Sequence, residues 1–350
     1  VGSEMCIRDR YNVAAAQKQA ARWGRRSEEI HYGTNPCSEI ILRPYQFCNL
    51  SEVVIRESDT SKTVAEKVRL ATILGTWQST LTDFKYLRKI WKDNTEEERL
   101  LGVSLTGQFG NKFFSGKENL KKLEEALSGL REYARDINLE EATKIGINAS
   151  AAITCVKPSG TVSQLVGVSS GMHPWHSQYY VRTVRGDKKD PLSTFLKEVG
   201  IPVEDDFMKP TDTHVFSFPV KAPKGSILRN DLTAIEHLNT WLVYQRAWCE
   251  HKPSITVSVK EDEWMEVGAW VYKHFDEVSG ISFLPHSDHS YKQAPYQEVT
   301  ETEYLELLAK MPSNIRWEDL SFYETEDGTS GTQTLACTSD GNCEIVDISA

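Results

Sequence analysis

HYGTNPCSEI, residues 31–40, sets the terms on which the rest of the chain is read. Within five positions Asn35, Pro36, Cys37 and Glu39 place an amide, a proline ring, a thiol and a carboxylate. Pro36 has no backbone donor and pushes Asn35 toward extended geometry, so a tight loop is expected with Cys37 near its tip. If the chain runs extended beyond the bend, Cys37 and Glu39 stand two residues apart and face one side. A carboxylate beside a thiol raises the thiol pKa, because the thiolate would be a second negative charge. Thiolate nucleophilic catalysis is poorly served by that pairing. Hydrogen-atom chemistry at sulfur, with the acid moving protons separately, is better served. Composition alone favours a plainer alternative: a cysteine packed at a loop-to-strand junction, with a surface glutamate.

Working outward, the 350 residues suffice for one large domain or two medium ones, and 39% hydrophobic with 26% charged residues fits a globular protein. A net charge of −10 argues against a broad nucleic-acid-binding surface. No apolar run reaches the roughly 18 residues of a membrane span, and no secretory signal is visible, so a cytoplasmic protein is expected. Seven cysteines, an odd number, do not read as a disulfide framework in a reducing compartment. Residues 1–10, VGSEMCIRDR, match nothing that follows; they and Cys6 are set aside as a non-native scar.

Helical periodicity covers 11–28, 64–94 and Lys117 to about Gly146, and returns near 232–248, 261–276 and 301–311. AAITCV (151–156), YYVRTVR, HVFSFPV, SITVSVK and GISFLP are apolar, β-branched or aromatic runs expected as strands. Strands alternating with helices predict an α/β fold. From 326 the chain is rich in Gly, Ser, Thr and acids and is expected to be a flexible tail.

Three further groups invite chemistry. Pro158, Ser159, Gly160 and Thr161 follow the 151–156 strand and open a short helix carrying Ser163. Unpaired N–H groups at a helix start suit a phosphate, although an ordinary turn with an N-cap explains the pattern about as well. Cys337 and Cys343 sit in the tail with five residues between them, close enough to bridge, and read as a redox dithiol. His286, Asp288 and His289, like His173 and His176, read as polar loop residues rather than metal ligands, and no metal is expected. Cys48 lies eleven residues beyond Cys37, but Pro44 makes one uninterrupted strand between them implausible, so spacing decides little.

Taken together, NPCSEI, CNLSEV, RLLGVSLTG (99–107), KPSGTVSQL, SSGMHPWHSQYYVRTVRGDKKDPL and the terminal cysteine pair resemble the ribonucleotide reductases. The resemblance is to the class II, adenosylcobalamin-dependent type, especially the monomeric ribonucleoside-triphosphate reductases, and runs from about Tyr11 to Ala350. It implies a ten-stranded α/β barrel of two five-stranded halves with a central finger loop. Residues 11–325 would then be the C-terminal part of the catalytic barrel and 326–350 a redox-active tail. The first half-barrel, with the partner of the reducing cysteine and the allosteric specificity site, is expected to be missing.

By the same resemblance Cys37 is the thiyl-radical residue, Glu39 the base for the ribose 3′-hydroxyl, and Asn35 the amide that binds substrate and orients that acid. Cys48 is the reducing thiol. Pro158, Ser159, Gly160, Thr161 and Ser163 hold the substrate phosphates. Cys337 and Cys343 re-reduce the active-site disulfide and are reduced by thioredoxin or a similar dithiol protein. The implied activity is reduction of ribonucleotides to 2′-deoxyribonucleotides for DNA synthesis, with adenosylcobalamin as cofactor.

Two other readings stand beside this one. The catalytic subunit of a class I ribonucleoside-diphosphate reductase would carry an adjacent tyrosine pair late in the barrel. Here SFYETEDG has only Tyr323, and Tyr179-Tyr180 comes far too early. A zinc module built on Cys37, Cys48, Cys337 and Cys343 lacks any CxxC pair.

Overall fold

The computed structural model describes residues 12–286 and 292–324. Cys6, Asp288, His289, Cys337 and Cys343 lie outside the described residues. The described chain forms two compact units that alternate along the sequence: 12–175 with 222–286, and 176–221 with 292–324.

The first unit opens with α1 (Val13–Ala21), shorter than the periodicity predicts, started by the Asn12 side chain accepting from the Ala15 N–H. Its small residues Ala16 and Ala20 let it pack closely on Tyr32 and Ile41. β1 (Gly33–Thr34) and β2 (Ile41–Leu42) pair antiparallel, so residues 35–40 form the tip of a short hairpin. β3 (Asn49–Val54) leads into α2 (Ser61–Gln78) and α3 (Lys89–Glu98). The single helix expected over 64–94 is thus two. Ser79 and Thr80 hydroxyls donate to the carbonyls of Thr76 and Trp77, satisfying the last turn of α2 from the side and ending it.

β4 (Leu101–Thr106) is buried at every position, as a central strand covered on both faces requires. α4 (Leu120–Ile145) runs almost as predicted, from the Asn119 cap to Gly146 at φ 71°. β5 (Thr154–Cys155) and the five-residue α5 (Val162–Val166) follow. β3 and β5 flank β4 in parallel. Val64, Val68 and Ala71 of α2 and Leu123 and Leu127 of α4 bury against Leu101, Val103 and Leu105. Each buried valine or leucine side chain among them contributes about 1.5–3 kcal/mol.

The chain then builds most of the second unit: β6 (Tyr179–Asp187), α6 (Pro191–Glu198), β7 (Val203–Asp205) and β8 (Thr213–Lys221). Back in the first unit, α7 (Ala234–Val243) runs into a turn of π-helix, Tyr244–Trp248. β9 (Thr256–Val259), α8 (Trp264–Lys273) and β10 (Ser282–Pro285) complete it, β9 and β10 pairing in parallel. The second unit closes with β11 (Tyr296–Glu298) and α9 (Glu301–Lys310), giving an antiparallel sheet in the order β11-β6-β8-β7 with α9 against β6 and β8.

One link in the first unit positions the site. Val156 and Pro253 form a parallel bridge, flanked by N–H···O bonds from Val156 to Lys252 (3.1 Å) and from Ser254 to Val156 (2.9 Å). The segment entering β9 is thereby laid along the end of β5. Parallel strands with intervening helices make this unit α/β, in small sheets joined at that bridge. β1 to β4, β7 and β11 were not expected as strands; of these, β4 carries period-two alternation in Leu101, Val103 and Leu105. No helix among the described residues is long and apolar enough to cross a membrane.

Candidate active site

The hairpin tip is closed by its own asparagine. Asn35 Oδ1 accepts from the Ile40 N–H (3.0 Å), and the Asn35 carbonyl accepts from the Ser38 N–H (2.9 Å). Ser38 takes φ 68°, the left-handed region that serine enters only at a cost. The extended run expected after Pro36 is therefore absent, and two-residue alternation does not describe Cys37 and Glu39. Cys37 is half-buried, whereas Glu39 is completely sealed.

Burial gives Glu39 its character. Among the described residues neither carboxylate oxygen has a hydrogen-bond partner. Lys157 Nζ stands 3.7 Å from Oε1 and Lys252, itself fully buried, lies within electrostatic reach. Burial pushes the Lys252 amine down to about 7, while Glu39 pulls it back up. The thiols of Cys48 and Cys155 are pushed up, first by burial and then by the Glu39 charge. Both remain S–H groups at neutral pH, which suits hydrogen-atom transfer and not thiolate attack.

Cys48 is carried by the turn after β2. Arg26, buried, grips both oxygens of Glu98 and donates to the Ile41 carbonyl (2.9 Å). Gln46 Oε1 accepts from the Arg43 N–H (3.1 Å), fixing the turn that delivers Cys48 to the start of β3. His251 ties β2 to β4: Nδ1 accepts from the Ile41 N–H (3.2 Å) and Nε2–H donates to the Leu101 carbonyl (3.0 Å). Burial, with help from the Arg26 charge, lowers this imidazole to about 3, so it is neutral and can play both parts. Gly102 on β4 makes room for the hairpin. A Cβ there would lie 2.3 Å from Leu50 Cδ2 and 3.0 Å from Ile40 Cδ1.

The glycine turn is mixed in what it offers. Ser159 and Ser163 are buried, and Ser163 Oγ lies 3.3 Å from Ser170 Oγ. Gly160 is half-buried and Thr161 exposed. Burial raises Glu52 on β3, and the Ser159 and Thr106 hydroxyls and Lys157 draw it back. His173 is structural: Nδ1–H donates to the Ser170 carbonyl and Nε2 accepts from the Thr256 N–H (2.9 Å). Within the second unit His176 stacks on Tyr296, and within the first His286 bonds Asn230 Oδ1 (3.0 Å). Among the described residues no three His, Cys, Asp or Glu groups converge on a metal site.

Lys157, His251, Lys252 and Ser254 were missed by sequence reasoning. Lys157, adjacent to the PSGT turn, and Ser254, the first residue of the expected SITVSVK strand, had a neighbouring signal.

No family model matches the chain. It is 30% identical over 294 residues to a probable adenosylcobalamin-dependent ribonucleoside-triphosphate reductase of Dictyostelium discoideum, covering 80% of this chain and 36% of that protein. An adenosylcobalamin-dependent ribonucleoside-triphosphate reductase of Lactobacillus gasseri is 27% identical, over 87% of this chain and 43% of its own length. The chain thus spans less than half the length of these curated relatives. In fold it superposes on a crystal structure of a B12-dependent, class II ribonucleotide reductase with a TM-score of 0.70 at 23% identity, over 84% of this chain and 44% of that one. The alpha subunit of an Actinobacillus ureae class Id ribonucleotide reductase gives a TM-score of 0.50 at 13% identity, over 79% of this chain and 57% of that one. The sequence matches and the fold point the same way: over most of its own length the chain is similar to adenosylcobalamin-dependent ribonucleoside-triphosphate reductases, and it matches less than half of theirs.

Proposed function

We propose that this chain is the finger-loop-bearing part of an adenosylcobalamin-dependent ribonucleoside-triphosphate reductase, its first unit contributing the second half of a ten-stranded barrel. One observation carries the reading. Among the described residues, the sealed carboxylate of Glu39 has no hydrogen bond to either oxygen, two residues from the half-buried Cys37. Buried acceptors are nearly always satisfied, so an unsatisfied pair here calls for a partner that arrives with substrate.

The roles follow from what each group can do. Adenosylcobalamin, when bound, supplies a carbon-centred radical through homolysis of its cobalt–carbon bond. The chain fits that demand, because the thiol that must give up a hydrogen atom is the accessible member of the tip while the base is sealed. Cys37 gives its hydrogen atom, then takes the 3′ hydrogen of the ribose. Glu39 receives the 3′-hydroxyl proton on a carboxylate oxygen, with Lys157 and Lys252 holding its charge in place. Asn35 spends its carbonyl oxygen on the Ile40 N–H, so its amide nitrogen is the end it offers to substrate. Cys48 supplies reducing equivalents together with a thiol from the preceding half of the enzyme. Residues 158–163 receive the phosphates chiefly through backbone N–H groups and Thr161, since the Ser159 and Ser163 side chains are buried. Cys337 and Cys343, outside the described residues, return the site to the dithiol state at the expense of thioredoxin or a similar protein.

The test is turnover of the intact enzyme. Deoxynucleotide formation from a ribonucleoside triphosphate should require adenosylcobalamin and a dithiol, and no second radical-generating subunit. Activity without cobalamin, on adding an iron- or manganese-containing partner, would move the chain to class I.

A further inference from the structure

The tripeptide Cys37-Ser38-Glu39 is held at every residue by one distant segment. The Cys37 carbonyl accepts from Ser254 Oγ–H (2.7 Å). Ser38 Oγ accepts from Lys252 Nζ (3.0 Å). The Glu39 carbonyl accepts from the Lys252 N–H (3.1 Å). We propose that Lys252 and Ser254 are positioning residues that set the placement of the Cys37 thiol and the Glu39 carboxylate relative to each other. This rests on the reading of Cys37 and Glu39 given above.

The segment 252–254 is itself anchored, as a positioning element must be. Its backbone pairs with Val156 on both sides of Pro253. The Pro253 carbonyl accepts from the Trp241 indole N–H (3.0 Å) at the centre of the core. The clamp is thus continuous with the parallel sheet, while the hairpin it holds has only two residue pairs of its own.

Two residue choices support the clamp. At φ 68° glycine is the unstrained residue, yet position 38 is serine, whose hydroxyl is what Lys252 binds. A fully buried lysine is costly where an apolar side chain would pack. Here its amine reaches Ser38 and faces Glu39, so one side chain registers both flanks of the tip. Sub-ångström placement of a reacting group is worth large factors in rate, so such a clamp acts on the chemical step.

The experiment uses the intact enzyme with three variants: Ser38→Gly, Ser254→Ala and Ser254→Thr. Ser38→Gly relieves the backbone strain while deleting the acceptor for Lys252. Its melting temperature should equal or exceed that of the unaltered enzyme, while kcat falls about tenfold or more and nucleotide KM stays within about twofold. Ser254→Ala should lose kcat by a similar factor, and Ser254→Thr, which keeps the hydroxyl, should restore most of it. A second readout needs no turnover: alkylation of Cys37 by iodoacetamide without cofactor, followed by mass spectrometry. Its rate should change at least about threefold in Ser38→Gly and Ser254→Ala and return in Ser254→Thr. Unaltered kcat and alkylation in both Ser38→Gly and Ser254→Ala would overturn the proposal. Full turnover by Cys37→Ser would instead overturn the radical assignment, leaving the alkylation result to judge the clamp alone.

Discussion

Replacing Cys37 by serine keeps the size of the side chain but substitutes an O–H bond too strong for reversible hydrogen-atom transfer. Turnover should vanish while nucleotide binding stays nearly intact; deoxynucleotide formation by that variant would remove Cys37 from the chemistry. Glu39→Gln should lower kcat by about 10²–10⁴-fold with the thiol in place, the range for a general base. A wild-type rate would take Glu39 out of the mechanism. At this scale the residue types were legible in the sequence, because Asn, Pro, Cys and Glu fall within five consecutive positions. Their mutual orientation was not, because it depends on Ser38 turning left-handed, which no residue type at that position announces.

At the scale of elements, the hairpin sits against β4 because Gly102 has no side chain. Gly102→Ala would place a Cβ 2.3 Å from Leu50 Cδ2, which can swing outward, and 3.0 Å from Ile40 Cδ1, which is buried and cannot. We expect a loss of about 1–3 kcal/mol in urea unfolding, together with reduced turnover as the tip shifts. Unchanged stability and rate would show that the contact is slack. The His251 link gives a pH signature. Burial holds His251 near 3 and His237 near 4, both below the ordinary histidine value. Between about pH 6.5 and those values the unfolded chain binds more protons than the folded one, so stability falls as pH drops through that window. Each histidine contributes a slope of up to about 1.4 kcal/mol per pH unit. His251→Asn should be less stable at neutral pH and show a shallower loss on acidification in urea titrations at stepped pH. An unchanged slope would mean that His251 does not carry the effect.

At the scale of the whole molecule, α2 exposes Leu70, Leu74 and Trp77 at 53%, 59% and 52%, spaced as one helical stripe, and among the described residues β3 has a strand on one side only. Unpaired edges and apolar stripes drive association. The 350-residue chain alone should therefore self-associate in sedimentation experiments and be inactive with adenosylcobalamin, whereas joining it to a matching first half should restore both solubility and reduction. A monodisperse, fully active 350-residue chain would refute the half-barrel reading. In the joined enzyme, Cys337→Ser or Cys343→Ser should lose turnover supported by thioredoxin and keep turnover with a small dithiol; equal loss with both would assign the tail pair another role. The sequence by itself determined that an amide, a proline, a thiol and a carboxylate gather at one tight turn, the alternation of strands and helices, and the long helix of 120–145, since each is written in neighbouring residues through proline geometry, periodicity or caps. Only the tertiary structure decided that Glu39 is sealed, that Lys157 and Lys252 flank it, and that Ser254 holds Cys37. These groups lie more than a hundred positions from the tip. What joins them is the register of parallel strands whose ends are brought together by long crossovers, and no local pattern marks which lysine or serine such a register will bury.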